Sequence, residues 1–315
     1  MIEVIGVPFD LCGRRSGARL GPSAIRFAGL VPGLEGLGLR VKDSGDLHVP
    51  DQPPAPGAIR NLEPLLELTR SLRAHVSGTL AAGRMPLILG GDHASGLGAV
   101  AAALERYGED LALLWIDAHS DLNTPDTSPS GNLHGMPLAA LLGIPSKAEA
   151  SMNEGWARLL EAVGPKRLHS GRVAWLGLRD VDSGERPRVR KMKDALPITM
   201  HDIDRNGLVH ELERLHEWLC RSGAERLWIS FDVDALDPIL APGTGTAVRG
   251  GLSFREAHLV AELLFELMRH SDCCYKLTGV DLMEANPLCD TNNETAKVAA
   301  EWLGSLLGKT ILGPR

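Results

Sequence analysis

The chain has 315 residues, a net charge of −7 and 44% hydrophobic residues, and these values exclude several classes of protein. A chain of this length can bury a substantial core, as one large α/β domain or as two small ones. The acidic balance and the lack of a long basic run argue against nucleic acid and favour a small polar ligand. No apolar stretch is long enough to span a membrane, so we expect no membrane association.

The N-terminus and the cysteines favour a cytoplasmic protein. The opening MIEVIGVPFD has no basic start and no cleavage pattern, so it predicts a strand rather than a signal peptide. Five scattered cysteines without a C-x-x-C pair are typical of reduced thiols. Cys273 and Cys274, adjacent at the start of a predicted buried strand, are expected to behave as small hydrophobes rather than as a redox pair. The other cysteines are Cys12, Cys220 and Cys289.

Short apolar runs alternate with longer amphipathic runs along the chain. The predicted strands, in order, are IEVIGV, MPLILGG, LALLWID, RVAWLGL, LPITM, RLWISFDVD and YKLTGVDLME. The predicted helices are GPSAIRFAGL, GLGAVAAALERYG, LVHELERLHEWLCRSG and SFREAHLVAELLFELMRH. Gly108 and Gly223 stand where helices commonly end. This alternation predicts an α/β fold with a mostly parallel sheet covered by helices on both faces.

A single domain spanning residues 1–315 is expected, because no repeat or long linker divides the chain. The Pro-rich VPDQPPAPG (residues 49–57) is brief, and a surface crossover explains it. In open α/β sheets, ligands bind beyond the carboxyl ends of the strands. The candidate site therefore lies at the ends of LILGGDH, LLWIDAHSD, ISFDVDALD and TGVDLME, which are rich in acids and histidines.

Three of these strand ends carry residues that could bind metal. The spacing of Asp117, His119 and Asp121 at i, i+2 and i+4 points their side chains to one side of an extended chain. The segment SFDVD repeats this spacing, and GGDH adds an imidazole. The residues that these two segments supply are Asp232, Asp234 and His93.

Burying four carboxylates together is very unfavourable without a cation, because each unpaired buried ion costs several kcal/mol. Four carboxylates and two imidazoles exceed the need of one ion, whereas two divalent ions sharing carboxylates would use them all. Such ligands favour Mn²⁺, with Fe, Co, Ni or Zn also compatible. A closed structural zinc site would usually contain thiolates. A single D-x-D or a lone histidine is usually structural or a helix cap, but three strand ends together favour a metal site.

These motifs resemble those of the ureohydrolases, and more narrowly of the arginase family. The matching segments are GGDH, WIDAHSDLNTPDTSPSGNLHGMP, LRDVDSGE, SFDVDALDPILAPGTGTAVRGGLSFRE and DLMEANP. The resemblance extends from EVIGVPFD to TAKVAAEWLGSLLGK, nearly the whole chain. It implies a three-layer α/β/α fold with a mostly parallel sheet, a site for two Mn²⁺ ions, and conversion of L-arginine and water to L-ornithine and urea.

The resemblance also implies which residues bind each ion. One ion would be bound by His93, Asp117, Asp121 and Asp232. The other ion would be bound by Asp117, His119, Asp232 and Asp234. The two ions would lower the pKa of a bridging water, and the hydroxide so formed would attack the guanidinium carbon.

Further residues would act on the substrate. Glu284 is the carboxylate expected to hold the guanidinium flat, with Thr246 nearby. Asp121 is expected to relay a proton to the leaving amine. His134 is expected to exchange protons with bulk water, because imidazole titrates near neutrality. The alternative for His134 is a loop histidine bonded to backbone.

The loop LNTPDTSPSGN indicates the substrate, since the metal ligands are shared across the superfamily. Asn123, Ser130 and Asn132 match positions at which arginases hold the α-carboxylate. The segment RDVDSGE supplies the carboxylates for the α-ammonium, which are Asp182 with Asp180 and Glu185 nearby. Two contacts to charged groups would favour arginine over agmatine by ~10² to ~10⁴. A polar surface connection is the alternative, but long ordered loops are usually functional.

Two alternative functions and one assembly follow from the same resemblance. The chain could be another guanidino or amidino hydrolase, of agmatinase or guanidinobutyrase type. It could also be a non-catalytic arginine-binding regulatory protein, which would be expected to lack a metal ligand or Glu284. A homo-oligomer, trimer or hexamer, is expected, and Arg255 and Glu256 resemble a pair that lies between subunits in some arginases. A helix surface pair of little energetic effect is equally compatible with the sequence.

Overall fold

The computed structural model describes residues 1–49 and 56–313, which contain an eight-stranded, fully parallel sheet. In chain order the strands are β1 (Ile2–Gly6), β2 (Val41–Asp46), β3 (Met85–Leu89), β4 (Leu111–Ile116), β5 (Val173–Leu178), β6 (Leu196–Thr199), β7 (Arg226–Asp232) and β8 (Lys276–Met283). Across the sheet their order is β2, β1, β3, β8, β7, β4, β5, β6. All seven predicted strands are present.

The helices of the described residues follow the strands along the chain. They are α1 (Gly21–Phe27), α2 (Leu30–Gly36), α3 (Leu62–Ala81), α4 (Leu97–Tyr107), α5 (Pro137–Leu142), α6 (Ala150–Val163), α7 (Arg186–Lys191), α8 (Met200–Asn206), α9 (Leu208–Ser222), α10 (Phe254–Leu267) and α11 (Glu294–Leu306). None of the helices in this part of the chain is long and apolar enough to cross a membrane.

Helices cover both faces of the sheet, which confirms the predicted three-layer architecture. Alternate strand residues point to opposite faces, so Leu114 packs in one apolar core and Leu113 in the other. The first core contains residues of α1, α2 and α8 to α11, and the second contains residues of α3 to α6. A single domain over 1–315 stays a prediction, and residues 50–55 of the Pro-rich crossover lie outside the described residues.

Local sequence explains where several helices begin and end. The predicted helix GPSAIRFAGL is interrupted, because Gly29 adopts φ 87° and separates α1 from α2. Helices α4 and α9 end before Gly108 and Gly223, as expected. The amphipathic pattern of α9 is confirmed by its buried leucines, which are Leu208, Leu212, Leu215 and Leu219.

The cysteines correct one expectation. Cys220, near the end of α9, forms a disulfide with Cys274, so the expectation of five reduced thiols is wrong at this pair. Cys274 is exposed and precedes β8, so it is not a small hydrophobe in a buried strand. The two residues lie 54 positions apart, and only the packing of α9 against the segment before β8 brings them together. Cys12, Cys273 and Cys289 are free.

A buried carboxylate fastens the polar edge strand β2 to the sheet. Glu3 of β1 is only 2% exposed and accepts hydrogen bonds from Ser44 (2.6 Å) and Lys42 (2.9 Å) of β2. Its other oxygen lies 2.8 Å from Arg84 Nε. Burial raises the pKa of Glu3, but the bonds from Ser44 and Lys42 outweigh it and bring the pKa from 4.5 to about 2. The ionised form therefore stabilises the fold.

We predict that Glu3→Gln lowers the free energy of unfolding at pH 7 by about 1–3 kcal/mol. Because the pKa of Glu3 is lower in the folded state, its contribution is present above pH 4.5 and is lost as the pH falls towards 2. Urea denaturation at pH 7 and pH 3 measures this. The matched control is Glu294→Gln, which removes a half-exposed pair with Lys297 and should change stability by less than about 0.5 kcal/mol. A Glu3→Gln effect that is independent of pH would contradict the assignment.

Candidate metal centre

The candidate site lies where the sequence places it, at the carboxyl ends of β3, β8, β7 and β4. These four strands are direct neighbours in the sheet, so their ends meet at one edge. A cavity of about 360 Å³ opens there. Every site residue predicted from the sequence lines this cavity except Asp117, which is almost completely buried.

His93 faces three carboxylates in the first half of the site. Its Nδ1 atom lies 3.0 Å from Asp232 Oδ2, 3.2 Å from Asp117 Oδ2 and 3.4 Å from Asp121 Oδ2. The ring is held flat against Trp115, with 4.1 Å between ring centroids and 6° between planes. One nitrogen carries at most one proton, so it cannot satisfy three carboxylates, whereas a cation between them can.

His119 and two carboxylates form the second half. The Nδ1 atom of His119 lies 3.1 Å from Asp234 Oδ2 and 3.3 Å from Asp117 Oδ1. Both halves have ligand atoms close enough together to bind an ion, and they share Asp117. In the structure, the ligand atoms that lie within 4.8 Å of one another form two groups, which are His93, Asp117 and Asp232, and Asp117, His119 and Asp234. The predicted ligand sets are larger, because they add Asp121 to the first ion and Asp232 to the second.

The path of the chain through DAHSD differs from the predicted extended strand. β4 ends at Ile116, and Asp121 adopts a left-handed conformation with φ 51°. Asp117 Oδ1 accepts a 2.6 Å hydrogen bond from the amide of His119, which bends the chain. Asp232 does the same for the amide of Asp234 at 2.8 Å. The three residues therefore meet because the chain turns back, and the i, i+2, i+4 explanation is wrong.

The electrostatics of this cluster favour a bound cation. Burial, and then repulsion from Asp234 and Asp117, raise the pKa of Asp232 well above its usual value. Burial and Asp117 likewise raise the pKa of Asp121. Burial lowers the pKa of His93, but hydrogen bonds with Asp117 and Asp232 outweigh it and raise the pKa. The buried carboxylates therefore repel one another, and a cation between them would reduce this repulsion. Carboxylate and imidazole donors fit divalent ions such as Mn²⁺.

Glu284 and His134 form a pair beside the carboxylate cluster. Glu284 Oε1 lies 2.8 Å from His134 Nδ1 and accepts a 2.9 Å hydrogen bond from the amide of His93. Burial by itself would lower the pKa of His134. The charge of Glu284 and its hydrogen bond act in the opposite direction, and the pKa is raised to about 9. The contact with Glu284 therefore favours the imidazolium form of His134, whose Nδ1 atom bonds to a carboxylate rather than to backbone. Glu284, like Asp121, has a positive φ, 64°, a strained conformation that occurs mainly at functional sites.

The two segments predicted to recognise the substrate touch each other. Asn123 Nδ2 donates to Asp182 Oδ2 at 2.8 Å, so the loop after the metal motif is joined to RDVDSGE. Ser130 Oγ accepts from the amide of Asn132 at 3.2 Å. The loop is built from turns and ends in a short 3-10 helix over Leu133–Gly135. It is ordered by internal hydrogen bonds, as expected for a loop that positions side chains.

Two predicted residues have contacts that the sequence did not indicate. Both oxygens of Glu185 accept backbone hydrogen bonds, from the amides of Leu122 (2.7 Å) and Asp182 (3.0 Å). Thr246 donates to Asp234 at 2.7 Å rather than to Glu284. Glu185 therefore acts on the shape of both recognition segments, and Thr246 holds a carboxylate of the metal cluster.

Arginines that sequence reasoning missed hold the site loops. Arg60 donates to the backbone oxygen of Ser130 and to Asn132 Oδ1, both at 2.8 Å. Arg188 donates to Leu122 O at 2.5 Å and to Thr124 Oγ1 at 2.7 Å. Arg14 also lines the cavity. No motif marks Arg60 and Arg188 in the sequence, because the groups they contact lie in distant segments of the chain.

Comparisons with known proteins agree with this geometry. A family model described as the arginase family matches residues 1–308. An arginase from Staphylococcus aureus (strain MRSA252) is 40% identical, over 99% of this chain and 98% of that protein. The crystal structure of arginase from Bacillus subtilis subsp. subtilis str. 168 superposes with a TM-score of 0.87 at 39% identity, over 99% of both chains. The arginase of Bacillus caldovelox gives 0.87 at 37% identity, over 98% of this chain and 99% of that one.

We predict that Asp232→Asn abolishes the stabilisation of the protein by Mn²⁺ without destabilising the metal-free fold. The substitution removes one of several mutually repelling buried charges, so the Tm in EDTA should stay equal or rise. Saturating Mn²⁺ at 100 times Kd should stabilise the wild type by about 2.7 kcal/mol. Thermal unfolding with and without Mn²⁺ measures both effects. Asp204→Asn, an exposed carboxylate of α8, is the control. An unchanged Mn²⁺ response in Asp232→Asn would contradict the metal centre.

Proposed function

The chain belongs to the arginase family, and we propose that it is a manganese-dependent hydrolase that converts L-arginine and water to L-ornithine and urea. One observation carries the proposal. Two groups of histidine and aspartate that share Asp117 lie beside a loop whose Asn123 is bonded to Asp182. The first feature supports a hydrolase with two metals, and the second supports an amino acid as substrate.

We propose that two Mn²⁺ ions bind the cluster, one at each half. The residues that would hold them are His93, Asp117, His119, Asp121, Asp232 and Asp234. Bound ions supply one piece of chemistry, which is to lower the pKa of a water so that it can attack the guanidinium carbon. Thr246 supports this arrangement, because its hydrogen bond fixes the carboxylate of Asp234.

Glu284 and His134 have complementary roles in the proposal. Glu284 has one oxygen engaged by His134 and the amide of His93, and its carboxylate lines the cavity, where it can orient a planar guanidinium. The charge of Glu284 raises the pKa of His134 to about 9. His134 lies at the cavity wall, where it would exchange protons with bulk water. Asp121 would relay the proton of the attacking water to the leaving amine.

The substrate's amino-acid end is assigned to the rim of the cavity. Ser130, Asn123 and Asn132 would bind the α-carboxylate, and Asp182 would bind the α-ammonium. The bond between Asn123 and Asp182 keeps the two halves of this subsite at a fixed separation. Glu185 would act indirectly, because both of its oxygens bind backbone amides of the two segments.

We propose a homo-oligomer, trimer or hexamer, as the working assembly. Arg255 supports this, since its side chain is 63% exposed and its nearest carboxylate, on Glu262, lies 3.6 Å away. Glu256 supports it less, because it caps its own helix with Ser253.

A cytoplasmic location is proposed with it. The free thiols of Cys12, Cys273 and Cys289 fit a reducing compartment, whereas the Cys220–Cys274 disulfide does not. Cell fractionation tests the location, and recovery of the protein in the secreted fraction would exclude it.

We predict that the Mn²⁺-loaded protein releases urea from L-arginine with a kcat/KM ~10² to ~10⁴ times that for agmatine, which lacks the α-carboxylate. 5-Guanidinopentanoate, which is arginine without its α-ammonium, should also be a poor substrate. Initial rates on the three compounds measure this. Equal values of kcat/KM for arginine and agmatine would contradict an arginase and favour another guanidino hydrolase. Two bound ions without turnover on any of them would favour a binding protein.

Two variants, assayed on the same three substrates, distinguish recognition of the α-carboxylate from recognition of the α-ammonium. Ser130→Ala should lower kcat/KM about 10- to 100-fold on arginine and 5-guanidinopentanoate, but not on agmatine. Asp182→Ala should lower it by a similar factor on arginine and agmatine, but not on 5-guanidinopentanoate. Each variant serves as the control for the other. A variant that affects all three substrates equally has a structural effect, and the recognition role would then be wrong for that residue.

We predict that the wild type sediments as an oligomer and that Arg255→Ala shifts it towards the monomer. An exposed arginine at an interface would lose its partner across subunits, whereas its weak contact to Glu262 contributes little. Sedimentation velocity at several protein concentrations measures the distribution. A wild type that stays monomeric at all concentrations would exclude the assembly, and an unaltered oligomer in Arg255→Ala would exclude this residue from the interface.

A further inference from the structure

A buried hydrogen-bonded chain leads from the imidazole of His93 into the centre of the sheet. His93 Nε2 lies 2.9 Å from Ser230 Oγ, and Ser230 Oγ donates to Asp281 Oδ1. The other oxygen of Asp281 accepts from the indole N–H of Trp228 at 2.5 Å. All four side chains are buried, and Asp281 is completely inaccessible. None of these contacts belongs to the substrate cavity, and sequence reasoning assigned Trp228, Ser230 and Asp281 no role.

Strand register builds this chain. Ser230 of β7 lies directly opposite Asp281 of β8, so their side chains leave the sheet side by side. Trp228, two residues earlier on β7, points to the same face and lies opposite Gly279. A Cβ atom on Gly279 would lie 2.1 Å from the indole ring, so only glycine leaves room for it. The arrangement is therefore fixed by the central pair of strands of the sheet.

The direction of each hydrogen bond follows from the chemistry of Asp281. Burial raises its pKa to about 6, so it is a carboxylate at neutral pH and can only accept hydrogen bonds. Ser230 gives its single proton to Asp281, and its oxygen is left to accept from His93. His93 must then carry a proton on Nε2. In the neutral ring this leaves Nδ1, the atom facing Asp117, Asp121 and Asp232, with a free lone pair.

We propose that Asp281, acting through Ser230, is a positioning residue that holds His93 in the one tautomer able to bind metal through Nδ1. The inference rests on the proposed function, because it concerns the proposed manganese centre. A histidine ligand whose second nitrogen donates to a fixed acceptor is oriented and more basic, and loss of such a partner commonly weakens metal binding 10- to 100-fold.

A carboxylate is required at position 281, because an amide there would reverse the donor–acceptor direction of the hydrogen bonds that lead to His93. In Asp281→Asn the indole N–H of Trp228 still needs an acceptor, so the amide oxygen turns towards Trp228 and the NH₂ group towards Ser230. Ser230 then accepts from the amide and donates to His93 Nε2. The proton of His93 moves to Nδ1, which can no longer bind a cation. Removing the indole donor, as in Trp228→Phe, allows the amide oxygen to face Ser230 again and restores the original direction.

The test is a calorimetric Mn²⁺ titration of the full-length wild type, Asp281→Asn, Trp228→Phe and the double variant, with circular dichroism and thermal unfolding as checks of folding. Asp281→Asn should weaken one of the two binding steps about 10- to 100-fold and leave the other within about threefold. Trp228→Phe should stay within about threefold of wild type. The double variant should recover most of the lost affinity, although a purely structural role would make it worse than either single variant.

Two results would overturn the inference. One is Asp281→Asn with both binding steps within threefold of wild type, and the other is a double variant as weak as Asp281→Asn. If Asp281→Asn does not fold, Ser230→Ala replaces it, with one step weakened at least fivefold as the expected result and an unchanged titration as the contrary one. A wild type that binds fewer than two ions would overturn the proposed function together with the inference. A wild type with two ions and full turnover, beside unaffected variants, would overturn the inference alone.

Discussion

Mutual repulsion among buried carboxylates is the constraint on which the site depends. Asp117, Asp121, Asp232 and Asp234 are each at most 6% exposed, and the two imidazoles beside them do not supply enough protons. Bound cations would offset the free energy cost of burying these charges together. Several neighbouring groups hold the oxygens of these carboxylates in place.

Neighbouring strands, backbone amides and an aromatic ring hold the metal-cluster residues in place. The acids follow neighbouring parallel strands, their carboxylates cap the backbone amides two residues on, and Trp115 lies flat against His93. Asp121 and Glu284 adopt strained left-handed backbone conformations that the fold must pay for elsewhere. The loop after the metal motif is held by Arg60 and Arg188, which are distant in sequence, so its conformation depends on contacts separate from those of the carboxylate cluster.

Sequence reasoning found the features that have a short-range pattern. Seven apolar strands and the acids at their ends could be read directly, because burial on both faces demands continuous apolar runs and metal binding demands clustered ligands. Strand β2, VKDSGD, was missed because an edge strand exposed to water needs no apolar run. The disulfide, the arginines that hold the loops and the Asp281 chain could not be read, because each joins residues far apart in sequence through packing alone. The turn at Asp121 shows that Asp117, His119 and Asp121 can be grouped from the sequence although the extended conformation expected for them is wrong.

The central claim is that this cluster binds two divalent cations that enable hydrolysis of arginine. It is tested most directly by removing all metal, adding Mn²⁺ stepwise, and measuring bound Mn²⁺ per chain and urea released from L-arginine in the same samples. The account predicts that binding saturates at two ions per chain, and that full activity appears only as the second ion binds. Saturation at one ion or fewer with full activity, or urea release that is unaffected by removal of the metal, would contradict it.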